Sequence, residues 1–169
     1  MSRLIALLMA LKLMNQDFIF KSLCVLFLLL PTVVHAQLVE VRSVDFGEIA
    51  IVSNNSVQSI RMDYLGNINT DSSIRILRRG TPGLFRASGF AGNVQLFITS
   101  NILNSTMNPG VVSGEYPNLS TLNVPPSVFT RSDGTADIPV GGTVSTSGNG
   151  SLTFADAVYS SNIQITIDF

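Results

Sequence analysis

From Asn162 to the last residue the chain alternates without a break. Ile163, Ile165, Ile167 and Phe169 are apolar, and Asn162, Gln164, Thr166 and Asp168 between them are polar. Successive side chains of a strand point to opposite faces, so a period of two predicts a strand with one buried and one wet face. A slip of one residue would exchange the whole set between faces, which fixes the register. The expectation is that all four apolar residues, Phe169 included, face a core. Val94, Leu96 and Ile98 against Gln95, Phe97 and Thr99 repeat the pattern more weakly.

Elsewhere after Ala36 no helical period stands out. Short β-branched and aromatic runs recur between clusters of Gly, Asn, Ser and Pro, the texture of a β-sandwich or barrel. Strands are predicted over 38–46, 48–52, 57–64, 73–79, 84–88, 94–99, 127–130, 136–145, 151–154 and 158–169. The polar stretch 101–126, with Pro109-Gly110, Pro117 and Pro125-Pro126, reads as a long loop with room for a short edge strand. Gly141-Gly142 and Gly148-Asn149-Gly150 bracket a turn-rich segment that ends one hairpin and begins another. No internal repeat breaks the chain into further units.

The N-terminal end has a different pattern. Lys21 is followed by an apolar run, Leu23 to Leu30, and then by Pro31-Thr32-Val33-Val34-His35-Ala36. A positive segment, an apolar segment and a small-residue cleavage site make a secretory signal peptide, here residues 1–36 with the cut after Ala36. The apolar run is short for a membrane span. Translation starting at Met14 would leave a signal of ordinary length. The mature chain is then a single domain, 37–169, of 133 residues (169 less 36), long enough to bury its own core. It is expected to be exported, to the periplasm, cell surface or a fimbrium, with no membrane span after cleavage.

Removing the signal also removes Cys24, His35, Lys12 and Lys21, so the mature chain has no cysteine, histidine or lysine. Its seven arginines face ten acids, a net charge of −3, which excludes nucleic-acid binding through a basic surface. No disulfide is available, so burial alone must stabilise the domain. Nucleophilic catalysis needs a base beside the nucleophile, and His, Cys and Lys are all missing. The usual zinc ligands are missing too. Carboxylate chemistry survives in principle, but the acids stand singly, and no catalytic, cofactor or metal site is expected.

Four features invite a functional reading. Asn67-Ile68-Asn69-Thr70-Asp71 places oxygen ligands at alternate positions, but Ser72 and Arg78 stand where a helical calcium loop needs Gly and Glu, so a turn is expected. Arg75, Arg78, Arg79 and Arg86 could hold an anionic sugar or a neighbour's carboxylates, or be gatekeeping charges on a strand edge. Asn54, Asn104, Asn118 and Asn149 open Asn-x-Ser/Thr triplets, a weak signal in so Asn- and Ser-rich a chain. Asp133-Gly134-Thr135 is a turn signal. For a chain that binds glycans, exposed Tyr64, Phe90 or Tyr116 on loops would supply the aromatic surface.

Four further segments carry a resemblance. Val44-Asp45-Phe46-Gly47-Glu48-Ile49 resembles the opening Phe-Gly motif of the bacterial domain-of-unknown-function family 4402. Leu84-Phe85-Arg86-Ala87-Ser88-Gly89 resembles its middle strand, Ile138-Pro139-Val140-Gly141-Gly142-Thr143-Val144 its Val-Gly-Gly-Thr-Leu segment, and Tyr159 to Phe169 its C-terminal end. Ala157-Val158 and Ser161 depart from glycines expected around Tyr159. The resemblance implies an immunoglobulin-like antiparallel β-sandwich, an exported fimbria- or pilin-like structural or adhesion protein, and no catalytic residues. Pilin subunits also end in an alternating strand with a late aromatic, and complete their sheet with a neighbour's strand. Only Gln37 to Ser43 precede the Phe-Gly motif, which is short for both a donor arm and a first strand. That counts against classical donor exchange, while the resemblance still implies other protein subunits as partners, by β-strand addition. The competing readings are a stand-alone module binding glycans or proteins, and a carboxylate hydrolase with two acids converging in a cleft.

Overall fold

The computed structural model describes residues 35–108, 114–150 and 153–169. The signal segment 1–36, with the alternative start at Met14, falls outside these residues except for His35 and Ala36. Among the described residues there is no helix, and every strand pairing is antiparallel. The strands are β1 (Gln37–Arg42), β2 (Asp45–Ile51), β3 (Ser59–Met62), β4 (Ile68–Thr70), β5 (Ile74–Thr81), β6 (Gly83–Ser88), β7 (Gln95–Ile102), β8 (Asn118–Asn123), β9 (Ser127–Phe129), β10 (Ala136–Ser145) and β11 (Ile163–Asp168).

Strand β10 organises the largest sheet, in the order β1-β6-β10-β3-β4 with β8 also on β10. Its first half, Ala136 to Val140, pairs with β6, and its second half pairs with β3 and β8. Pro139 lies in the first half, where β6 is the only paired neighbour among the described residues, so its missing N–H interrupts no second ladder. At Gly141 the chain passes so close to β3 that a Cβ would stand 2.2 Å from the Met62 carbonyl oxygen. Gly141-Gly142 lies inside the strand predicted over 136–145, where glycine permits close approach of a neighbouring backbone.

Strands β11-β7-β9 form a second sheet and β2-β5 a two-stranded ribbon. Two clusters hold these layers together. Ala87, Ala136 and Ile138 of the first sheet meet Leu96 and Ile98 of the second, with Ile165 and Ile167 packed against them. Ile60, Leu119 and Val144 meet Ile74 of the ribbon, joined by Phe46, Ile49 and Ile163. Ile60, Met62, Leu96, Ile138 and Val140 are the largest fully buried side chains. Each contributes about 1.5–3 kcal/mol relative to exposure.

Gly47 explains the Phe-Gly motif. The break between the first two predicted strands was placed there, at 46–48, yet Gly47 lies inside β2 and the break falls at Ser43-Val44. Gly47 takes φ +86°, and the β2–β5 register shifts one residue further on, between Glu48 and Ile49. A Cβ on Gly47 would stand 2.1 Å from the Arg78 carbonyl oxygen, and one on Gly80 would stand 2.0 Å from that of Asp45. The two glycines let the ribbon close on itself where a bulge forces an unusual backbone angle.

The C-terminal strand keeps its predicted register. Ile163, Ile165 and Ile167 are half-buried, and Gln164, Thr166 and Asp168 are exposed. Phe169 departs from expectation: it is 80 % exposed. It lies beyond the last paired residue, at the rim, and packs edge-to-face on Phe90 at 5.3 Å between ring centroids. The strand predicted over 151–154 lies partly outside the described residues, and Phe154 makes only an isolated bridge to Glu115. The loop expected over 101–126 contains β8, and β4 lies within the expected Asn67–Asp71 turn.

Candidate functional site

Two of the strands with a single partner flank one groove. Among the described residues β1 pairs only with β6, and β11 only with β7. Between β1 and the start of β11 lies a groove of about 360 Å³. Its floor is apolar: Phe46, Phe85, Met107, Leu119, Leu122 and Ile163. These residues belong to both clusters, so the groove is the place where the core reaches solvent. Glu40 is the only charged residue lining it, and the Ser43 hydroxyl donates to its carboxylate at the rim. Tyr159 closes the other side, its phenol donating to the Ala155 carbonyl at 2.9 Å.

A second cavity, of about 680 Å³, shares the wall Ser160-Ser161-Asn162 with the groove. Its lining is polar and uncharged, with Tyr116 the one aromatic. Exposed apolar side chains elsewhere, such as Phe97 and Phe129 on the outer face of β7 and β9, stand away from both.

The other candidate residues go elsewhere. Asp71 accepts the Ser59 N–H at 2.9 Å and pairs with Arg61 at 2.8 Å, and this guanidinium holds its carboxyl below the usual range. With Ile68–Thr70 in strand β4, the Asn67–Asp71 segment is mainly strand, correcting the expected turn. Asp133 forms the expected turn: it accepts both the hydroxyl and the N–H of Thr135, and those bonds lower its pKa. Of the four arginines, Arg75, Arg78 and Arg79 stay together on β5, and Arg86 lies on β6. Arg78 pairs with Asp45 across the ribbon at 2.9 Å. Arg86 pairs with Asp137 at 2.8 Å, and Asp137 also takes Arg131 at 2.6 Å. The side-chain bonds from Arg86, then Arg131, hold the Asp137 carboxyl below its ordinary value.

Asn54 is buried, accepting from the Gly148 N–H and donating to the Asn149 carbonyl, both at 3.1 Å, so it pins one segment to another. Of the three aromatics expected on loops, only Tyr116 lines a cavity. Phe90 packs on the first core cluster and on Phe169, and Tyr64 is half-buried beside β3 with its N–H bonded to Asn123. One buried acid was not anticipated. Glu115 is 6 % exposed, and the Tyr116 N–H donates to its carboxylate at 3.3 Å. Its polar neighbours in sequence gave no signal of burial. No three potential metal ligands gather among the described residues, and no helix there is long and apolar enough to cross a membrane.

Comparison with protein-family models, with curated proteins and with solved structures finds no match to this chain.

Proposed function

We propose that the chain is a non-catalytic, exported surface subunit, an immunoglobulin-like β-sandwich that joins protein partners by β-strand addition. One observation carries the reading: the core opens to solvent between two free strand edges. An extended segment laid there would pair its backbone with an edge and place alternate side chains on the apolar floor. Exposed edges ordinarily invite association and are blunted by charge or cover. Here Glu40 alone faces the opening. Asp45, Asp71 and Asp137 are held in arginine pairs and Asp133 in turn hydrogen bonds, an arrangement that supports structure rather than hydrolysis. The signal pattern of residues 1–36 and the resemblance to family 4402 point the same way.

The test is a pair of neighbouring substitutions in the full chain, with the exported protein examined by light scattering after size exclusion. Thr166→Asp puts a charge on the exposed face of β11, where an added strand would lie beside it. It should shift stability by no more than about 0.5 kcal/mol while abolishing higher-order assembly. Ile165→Asp, one residue away, faces the first cluster and should prevent folding, because it brings an unpaired charge into the core. A wild-type protein that stays monomeric at all concentrations, or a Thr166→Asp protein that assembles like wild type, would overturn the proposal.

A further inference from the structure

The larger cavity, beside the groove, has a chemistry of its own. Its lining includes Asn104, Asn162, Ser105, Thr106 and Tyr116, and no charged side chain. Much of the backbone of its walls is already engaged. The N–H groups of Leu103 and Asn104 donate to the Asn162 carbonyl at 2.9 and 3.4 Å, and Asn108 and Ser160 exchange bonds at 2.9 and 3.2 Å. The Ser161 hydroxyl donates to the Asn104 carbonyl. The Thr106 and Ser160 hydroxyls also donate, to the Asn118 side chain at 3.3 Å and the Asn108 carbonyl at 3.4 Å, so what faces the cavity is chiefly side-chain amide, the Ser105 hydroxyl, Leu103 and one ring.

That combination selects a ligand class. Without Arg or Lys the cavity offers nothing to a phosphate or carboxylate. With much of its backbone engaged it offers little ladder to a peptide strand. Exposed amides each present a donor and an acceptor side by side, matching neighbouring hydroxyls of a polyol. An aromatic ring covers the apolar face of a sugar while the polar groups fix its orientation. At about 680 Å³ the space lies within the 300–1,000 Å³ of ordinary ligand sites, roomy enough for more than one sugar unit. We infer that this cavity is a binding site for a neutral oligosaccharide, separate from the groove proposed for strand addition.

The experiment uses protein exported from a host expressing the full chain, on an array of neutral glycans (galactose-, mannose- and N-acetylglucosamine-terminated) beside sialylated and sulfated ones. Binding should be confined to neutral glycans. Asn104→Ala and Asn162→Ala, both at exposed positions, should each weaken it about fivefold to tenfold with an unchanged melting temperature. Tyr116→Ala should weaken it further. If that half-buried substitution unfolds the protein, the two asparagine variants decide alone. No retained glycan, binding to acidic glycans only, or asparagine variants that bind like wild type would each overturn the inference.

Discussion

Gly47 and Gly66 offer a controlled comparison, because they share nearly the same backbone angle and differ in surroundings. Their φ values are +86° and +88°. Replacement by alanine imposes left-handed strain of about 1–2 kcal/mol at both. At Gly66 the new methyl would meet nothing nearer than Pro82 Cδ at 3.4 Å. At Gly47 it would lie 2.1 Å from the Arg78 carbonyl oxygen and 2.6 Å from the Gly80 nitrogen. Those are backbone atoms and cannot rotate aside, so overpacking adds about 1–3 kcal/mol. Gly66→Ala should then cost about 1–2 kcal/mol and Gly47→Ala about 2–5 kcal/mol. Gly80→Ala removes the angle from the comparison. Gly80 has no positive φ, yet its methyl would lie 2.0 Å from the Asp45 oxygen, so it should cost the overpacking share of about 1–3 kcal/mol. The chain has no tryptophan, so urea unfolding followed by far-ultraviolet circular dichroism is the suitable assay, with midpoints compared at unchanged slope. Equal losses at Gly47 and Gly66 would show that the ribbon does not close as tightly as described, and the account of the Phe-Gly motif would fail.

Two further outcomes are expected. Ile138→Ala, at a fully buried position in β10, should lose about 2–5 kcal/mol, while Leu77→Ala, 62 % exposed on β5, should lose under about 0.5 kcal/mol; comparable losses in denaturant melts would contradict the placement of the core. Asp137→Asn should cost about 1 kcal/mol or less at pH 7, since its arginine partners are half-exposed. Because the folded carboxyl titrates below its ordinary value, that contribution is complete above the unfolded pKa of about 3.9 and disappears as pH falls through the folded one. Wild type and variant should thus converge in acid, and a difference that grew on acidification would refute the pairing.

Sequence periodicity located the strands that bury one face and are uninterrupted. β10 spans Ala136–Ser145 as expected, and β11 keeps its alternation. β8 was legible only as an unplaced short edge strand within a loop, for a physical reason. Leu119 and Leu122 both reach the second cluster although three residues apart, because the register against β10 shifts between Thr143 and Val144. A bulge converts an alternating strand into a sequence with no period of two. β4 has only three residues and hides among turn-forming side chains. Phe169 was misplaced because alternation gives a side and not a depth, and the last residue of an edge strand has little beyond it to be buried against. The groove was legible only as composition. Its floor comes from β2, β6, β8 and β11, and which edges stay open depends on long-range pairing that no local pattern records.

The two edges that flank the groove are not equally secured. β11 places Ile163, Ile165 and Ile167 against the clusters and carries its polar residues outward, so local pattern and pairing agree. β1, antiparallel on β6, lacks that agreement. Leu38 is its only half-buried residue, Glu40 lines the groove, and Val39 and Val41 are 44 % and 52 % exposed. The register also shifts between Glu40 and Arg42, which leaves Val41 without a partner in the ladder. Three half-buried isoleucines hold β11, and one leucine plus the ladder to β6 holds β1. Burial scales with apolar area removed from water, so β1 is the weaker of the two attachments by several kcal/mol at most and by at least one side chain's worth. Under the proposed strand addition, an incoming segment that competes for an edge meets less resistance at β1 than at β11.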